Sequence, residues 1–263
     1  MKIVVCIKQV PDTVEVKIDP KTGTLIRDGV PSIINHDDKT GIEAALTLRE
    51  QLGGTVTVVS MGPPQADVAL REALAMGCDE AILVSGREFG GSDTYATSGI
   101  LAAALRKIGY DLIITGRQAI DGDTAQVGPQ IAEKVGVPQV SYVEEVKEAT
   151  PDYIVVKRQF EDGYHIIKIK TPCLLTAIAE LATPRYMTVR GIVEAYEKEI
   201  KILGFEDLKD DLELDMIGLK GSPTNVYQSF TKEVKGAGTI LKDLSADEAV
   251  KAIVAKLEEK FII

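Results

Sequence analysis

Five short apolar runs constrain this chain more than anything else in it. Ile3–Ile7, Val56–Ser60, Ala81–Val84, Leu112–Thr115 and Leu174–Ile178 are rich in β-branched residues and nearly continuous rather than alternating. Such strands need apolar cover on both faces, as in a parallel sheet between two helical layers. Segments of helical period stand between the runs. Ile42, Ala45, Leu46 and Arg49 share one spacing, closed by Gly53–Gly54. Ala69, Leu70, Ala73 and Leu74 repeat it up to Gly77, and Thr97, Ile100, Leu101 and Leu105 up to Gly109. A fourth helix is predicted from about Thr124 to Val135, with Gly136 as its stop. Strand–helix alternation with short connections implies right-handed crossovers and an α/β fold built on a doubly wound, mostly parallel sheet.

Two stretches break the rhythm. Pro11 to Asn35 reads as a hairpin excursion with a turn at Pro20-Lys21-Thr22-Gly23. Val140 to Lys170 holds three strand-like runs of alternating polarity, an antiparallel extension with one wet face. After Tyr186 the chain is more polar and less regular. A last helix opens at Ser245-Ala246-Asp247-Glu248, a capping-box pattern, and carries Val250, Ile253, Val254 and Leu257 on one stripe. We therefore expect an α/β domain over residues 1–190 and a C-terminal arm over residues 191–263.

Charge and composition exclude several classes. With 40 acidic and 30 basic residues the net charge is -10, which lacks the basic footprint of a nucleic-acid binder. The three cysteines are odd in number with no C-x-x-C. Cys6 and Cys173 lie in apolar runs, so buried thiols in a reducing compartment are expected rather than disulfides. The only histidines, His36 and His165, give no metal site with those cysteines. The first residues read as a strand rather than a signal peptide, and no apolar stretch is long enough to span a bilayer. A cytoplasmic protein without membrane insertion is expected.

In open α/β sheets ligands bind beyond the carboxyl ends of the strands, so chemistry is sought in the loops there. These are Lys8 to Asp12, Met61 to Pro64, Gly86 to Asp93 and Gly116 to Gly128. The last runs from a buried strand through small and polar residues into a helix, where glycines and unpaired N–H groups suit a phosphate. Asp123 and Gln126 also fit a capping box, so two readings stand: a nucleotide site or a plain helix cap. The carboxylates would repel a phosphate, leaving backbone amides and Thr124 to bind it. The pattern is neither Walker A nor G-x-G-x-x-G. Gly90-Gly91-Ser92-Asp93-Thr94 opens another helix, either as a loop with an Asp or Thr cap or as a second contact to the same phosphates. No nucleophile–base constellation appears, so no catalytic side chain is assigned and a cofactor carries the chemistry.

Several motifs fall in the order seen in electron transfer flavoprotein beta subunits. They are Lys2 to Asp12, the Asn35 segment, Ser60-Met61-Gly62-Pro63, Ala73 to Gly77, Gly116-Arg117-Gln118-Ala119-Ile120-Asp121-Gly122-Asp123, and Pro184-Arg185-Tyr186. The chain resembles that family over nearly its whole length. The resemblance implies an adenine-nucleotide-hydrolase-like fold and a heterodimer with an alpha subunit that holds FAD. It places nucleotide contacts at Cys6, at Asn35, His36, Asp37 and Asp38, at Met61, and at Asp121, Gly122, Asp123, Thr124, Ala125, Gln126, Val127, Gly128, Pro129, Gln130, Ile131 and Ala132. His36 stands where many relatives have proline. The stretches Gly90 to Thr97 and Asp121 to Gly128 are similar to electron-bifurcating members. There FAD replaces AMP, and Gly91, Thr94 and Thr97 would hold its longer chain. By that resemblance NADH is the electron donor. Ferredoxin and an acyl-CoA dehydrogenase or enoyl-CoA reductase, such as a caffeyl-CoA reductase, are the acceptors. The alternative is a non-bifurcating subunit with structural AMP. Leu181 matches the family's partner-docking anchor, or else packs on the core as a strand-exit residue. The arm is expected to wrap the alpha subunit.

Overall fold

The computed structural model describes residues 1–12, 17–18, 25–26, 31–224, 227, 236 and 238–263. In chain order the elements begin β1 (Lys2–Ile7), β2 (Gln9–Pro11), β3 (Lys17–Ile18), β4 (Leu25–Ile26), β5 (Ser32–Ile34) and α1 (His36–Leu52). They continue with β6 (Thr55–Met61), α2 (Asp67–Met76), β7 (Glu80–Val84), α3 (Thr94–Ile108), β8 (Leu112–Gly116) and α4 (Val127–Val135). Then come β9 (Gln139–Ala149), β10 (Tyr153–Phe160), β11 (Gly163–Lys170) and β12 (Cys173–Ala177). The last are α5 (Val189–Glu197), β13 (Ile200–Leu203), α6 (Phe205–Leu208) and α7 (Ala246–Glu259).

The main sheet runs β11-β10-β9-β12-β8-β1-β6-β7-β13. Every pairing from β9 to β13 is parallel, and β10 pairs antiparallel with both β9 and β11. All five apolar runs are strands of the parallel part. Their alternate residues serve opposite layers, as a sheet covered on both faces requires. Ile3, Val5 and Ile7 join Ile42 and Leu46 of α1 and Leu70 and Leu74 of α2. Val4 and Cys6 face Ile100 and Leu105 of α3 and Ile131 and Ala132 of α4. Each fully buried Ile or Leu contributes about 1.5–3 kcal/mol relative to exposure. The cysteines Cys6, Cys78 and Cys173 are all buried free thiols.

The predicted helix stops hold, with Gly53, Gly77, Gly109 and Gly136 all at positive φ. The predicted start of the fourth helix does not. Asp123 and Ala125 have φ of 50° and 52°, outside the helical region, so α4 begins at Val127 rather than Thr124. The Pro11–Asn35 excursion contains the ladder of β2 with β5 and that of β3 with β4. Its expected turn at Pro20 to Gly23 lies outside the described residues. The antiparallel extension is β9, β10 and β11, with a turn at Glu161–Asp162.

The chain divides into a larger unit of residues 1–16 and 26–227 and a smaller one of residues 17–25 and 228–263. The boundary expected between residues 190 and 191 therefore falls inside the larger unit, in α5. Arg71 of α2 donates to the Ala195 carbonyl at 2.7 Å, tying α5 down, and β13 adds an edge strand beside β7. In the smaller unit α7 opens with the expected capping box of Ser245 and Glu248, and none of its side chains is buried. Among the described residues no helix is long and apolar enough to cross a membrane.

Candidate functional site

The chain leaves β1 on one side to build β6 and β7, then crosses back to lay β8 on the other. That reversal opens a crevice past the carboxyl ends of the strands. A cavity of about 880 Å³ fills it. Its lining includes Cys6, Met61, Val84 and Thr115 from the ends of β1, β6, β7 and β8. Adjacent strands lie about 4.8 Å apart, so the exits of β8 and β7, three spacings from each other, stand roughly 14 Å apart. The site is a trough along four strand ends, with one wall from residues 116–128 and another from residues 84–94.

Asp38, on the first turn of α1, ties the floor together. Its carboxylate accepts from the Lys8 N–H at 2.7 Å and the Gly116 N–H at 2.9 Å, linking the exits of β1 and β8. Any Cβ at residue 116 would stand 2.2 Å from Asp38 Oδ1, so this clamp needs glycine there. Burial raises the Asp38 carboxyl to about 7, outweighing the hydrogen bonds that lower it. Burial first, and then the Asp38 charge, pushes the Cys6 thiol up to about 12, which leaves it protonated and unreactive at neutral pH.

The residue 116–128 wall is held from within. Buried Asn35 donates to the Gln118 carbonyl at 2.8 Å and accepts from the Ile120 N–H at 3.1 Å. Lys8 Nζ bonds both Asp121 oxygens at 2.7 and 2.9 Å. Asp123 accepts from Gln118 Nε2 at 2.8 Å. The two carboxylates expected to repel an anion are thus engaged with partners, and the capping box of Asp123 and Gln126 does not form. Instead Gln126 Oε1 accepts from the Thr94 hydroxyl at 2.8 Å, joining the starts of α3 and α4. Gln126 makes no side-chain cap, so the first N–H groups of α4, at Val127 and Gly128 on the cavity lining, keep no cap from it. A Cβ at Gly128 would meet Thr115 Oγ1 at 2.6 Å, so only glycine lets α4 start this close to the sheet. At α3 the plain-cap reading holds: Asp93 accepts from the Ala96 N–H at 3.0 Å.

Of the residues expected at the site, Cys6, Asp38, Met61, Gly91, Thr94, Thr97, Gly122, Thr124, Ala125, Gln126, Val127 and Gly128 line the cavity together. Asn35, Asp121 and Asp123 stand behind the wall as supports. His36 is exposed, and Asp37 faces Arg117 at 3.5 Å. Gln130 accepts from Ser98 at 3.1 Å, while Ile131 and Ala132 are buried under α4 with Pro129 beside them. Lys8, Ser85, Arg87 and Arg117 line the cavity as well, beyond the residues expected from the sequence. Their signal is position, since Lys8, Ser85 and Arg117 each directly follow a strand and Arg87 lies three residues past the end of β7. Leu181 is half-buried in a short 3-10 turn and packs against the core. Arg185 nearby binds Glu43 through its backbone N–H at 2.9 Å and its side chain, and reaches Glu50 at 2.6 Å. Tyr186 beyond it is 98% exposed.

Comparison with known proteins decides the family. The family described as "Electron transfer flavoprotein domain" matches residues 22–208. The chain belongs to the electron transfer flavoprotein family. It is 57% identical over 263 residues to the electron transfer flavoprotein subunit beta of Clostridium acetobutylicum, covering all of both chains. It is 54% identical over 265 residues to the caffeyl-CoA reductase-Etf complex subunit CarD of Acetobacterium woodii, again over all of both. The acryloyl-CoA reductase electron transfer subunit gamma of Anaerotignum propionicum is 53% identical over 270 residues, with both chains fully covered. Relatives of this kind place the chain among the beta subunits of electron transfer flavoproteins.

Proposed function

We propose that this beta subunit holds FAD in the trough and, with its alpha subunit, bifurcates electrons from NADH. One acceptor is ferredoxin and the other an acyl-CoA dehydrogenase or enoyl-CoA reductase. The observation that carries the reading is the reach of the cavity across four strand exits. Small-ligand sites run from roughly 300 to 1,000 Å³, and about 880 Å³ suits a dinucleotide better than AMP. The N–H groups of Val127 and Gly128, which have no side-chain cap, suit phosphate oxygens, with Thr124 and the cations Lys8 and Arg117 nearby. Met61, Pro63, Val84 and Phe89 supply apolar wall for a ring system.

FAD, when bound, supplies the redox chemistry. The chain's own residues would bind and orient it: Asp38 sets the floor, and Asn35 and Lys8 fix one wall. The names of the relatives from Acetobacterium woodii and Anaerotignum propionicum support a CoA-thioester reductase as partner. Leu181 and exposed Tyr186 lie on the segment that would dock it, and residues 228–263 would pack on the alpha subunit. We assign the complex to the cytoplasm.

The test is the visible spectrum and nucleotide content of the purified alpha–beta complex. Two FAD per heterodimer, reducible by NADH, is the expected result. One FAD and one AMP would replace this reading with a non-bifurcating subunit holding structural AMP.

A further inference from the structure

The two walls of the trough are secured differently. Asn35 and Lys8, close to the first strand, hold residues 116–128. The opposite rim, residues 90–94, carries adjacent glycines whose backbone is free to wander unless something restrains it. What restrains it comes from about 130 residues further along the chain, as the 131-residue separation between Asp93 and Thr224 illustrates. The Gly218 N–H donates to Ser92 Oγ at 3.1 Å and the Leu219 N–H to the Gly90 carbonyl at 3.1 Å. The Asp93 N–H donates to Ser222 Oγ at 2.8 Å, and the Thr224 N–H returns a bond to Asp93 Oδ2 at 3.0 Å. Ser222 Oγ also donates to the Gly218 carbonyl at 2.7 Å, closing the loop on itself. Leu219 lies directly on Gly91, where φ is +76° and a Cβ would stand 3.1 Å from the Leu219 Cβ.

We infer that residues 217–224 are a positioning strap for the residue 90–94 rim, and that Ser92 and Ser222 thereby determine whether the trough accepts a full dinucleotide. The inference rests on the FAD reading above. Neither serine is needed by the residue 116–128 wall, so loosening the strap should spare a ligand that uses that wall alone. Three residues lie between the strap and residue 228, where the second unit resumes, so the rim is fixed by chain that continues into that unit.

The experiment uses the alpha–beta complex stripped of nucleotide, titrated with FAD and with AMP, for wild type and for Ser92→Ala/Ser222→Ala. Hydrogen exchange at the amides of residues 90–94 is read in the ligand-free complex. FAD affinity at the beta site is expected to fall at least tenfold. AMP affinity should stay within about twofold, and rim amides should exchange faster. Ser222→Thr alone, which keeps the hydroxyl, should retain the wild-type FAD affinity. Equal losses of FAD and AMP would reduce the strap to general structural support and overturn the inference, as would unchanged rim exchange. A wild-type complex that takes AMP but not FAD at this site overturns the FAD reading and dinucleotide selection with it. Faster rim exchange in the variant would then still show the strap itself.

Discussion

Helices α3 and α4 both start at the trough, and they end their chains of backbone donors in opposite ways. At α3 the Asp93 carboxylate takes the Ala96 N–H and is itself bound by Thr224, so the helix start is satisfied and negatively charged. At α4 Asp123 and Ala125 sit at positive φ, Gln126 turns away to Thr94, and the first donors have no side-chain cap. Two starts with similar surroundings therefore do different work. A capped start adds stability to the scaffold, whereas an open one keeps its partial positive charge for an anion. On the function proposed above, the phosphates of a bound nucleotide would lie at α4, with the rim at α3 as wall.

Breaking the α4 side should have the largest effect. Gly128→Ala forces a Cβ to 2.6 Å from Thr115 Oγ1 and 2.9 Å from Thr176 Cγ2. We expect overpacking to cost about 1–3 kcal/mol and most nucleotide to be lost. Thermal melts and nucleotide content of the purified complex would show it. Gly122→Ala, with nothing within 4 Å of its Cβ, should behave as wild type.

Charge distinguishes the two sides next. Burial raises the Asp38 carboxyl from 3.8 to about 7, so protons bind the folded state more tightly than the unfolded one. Its contribution to stability is complete below 3.8 and is lost as pH rises through about 7. Asp93 has the opposite sign. Burial pushes it up, but the N–H groups of Ala96 and Thr224 outweigh that and hold it below 3.8. Its contribution is present above that value and lost as pH falls through its lowered one. Denaturant midpoints between pH 4 and 8 should show a falling component that Asp38→Asn flattens and Asp93→Asn does not. An unchanged slope in Asp38→Asn would remove Asp38 from the account.

Smaller effects follow at α3. Asp93→Ala removes the cap and should cost about 1 kcal/mol in urea unfolding. Thr94→Val removes the bond to Gln126 and should cost no more than about 1 kcal/mol, with a few-fold loss of nucleotide affinity in titration. If Thr94→Val were the more damaging of these two, the division of labour between the helix starts would be wrong.

Much of the fold could be read from local pattern, because buried parallel strands such as Leu112–Thr115 leave a run of β-branched residues and helices such as α2 stop at glycine. What depends on distant partners could not be read. Asp123 and Gln126 have the spacing of a cap, yet Gln118 and Thr94 take them up, and neither choice is visible within four residues. Ile200–Leu203 is a four-residue edge strand with an exposed lysine in its middle, too short and too polar to stand out from its surroundings. Lys8 finds Asp121 across 113 residues, so its role needed the topology first. The loops that line the cavity are visible in the sequence because strand exits are local, whereas the division between lining and supporting residues is not.

The Arg185 clamp has a consequence for encounter. Two glutamates of α1 grip one guanidinium together with its own amide, so the chain bearing Tyr186 is already ordered before any partner arrives. A surface that is ordered in advance loses little conformational entropy on association. For the docking proposed at this segment, that preorganisation leaves more of the contact energy available as affinity.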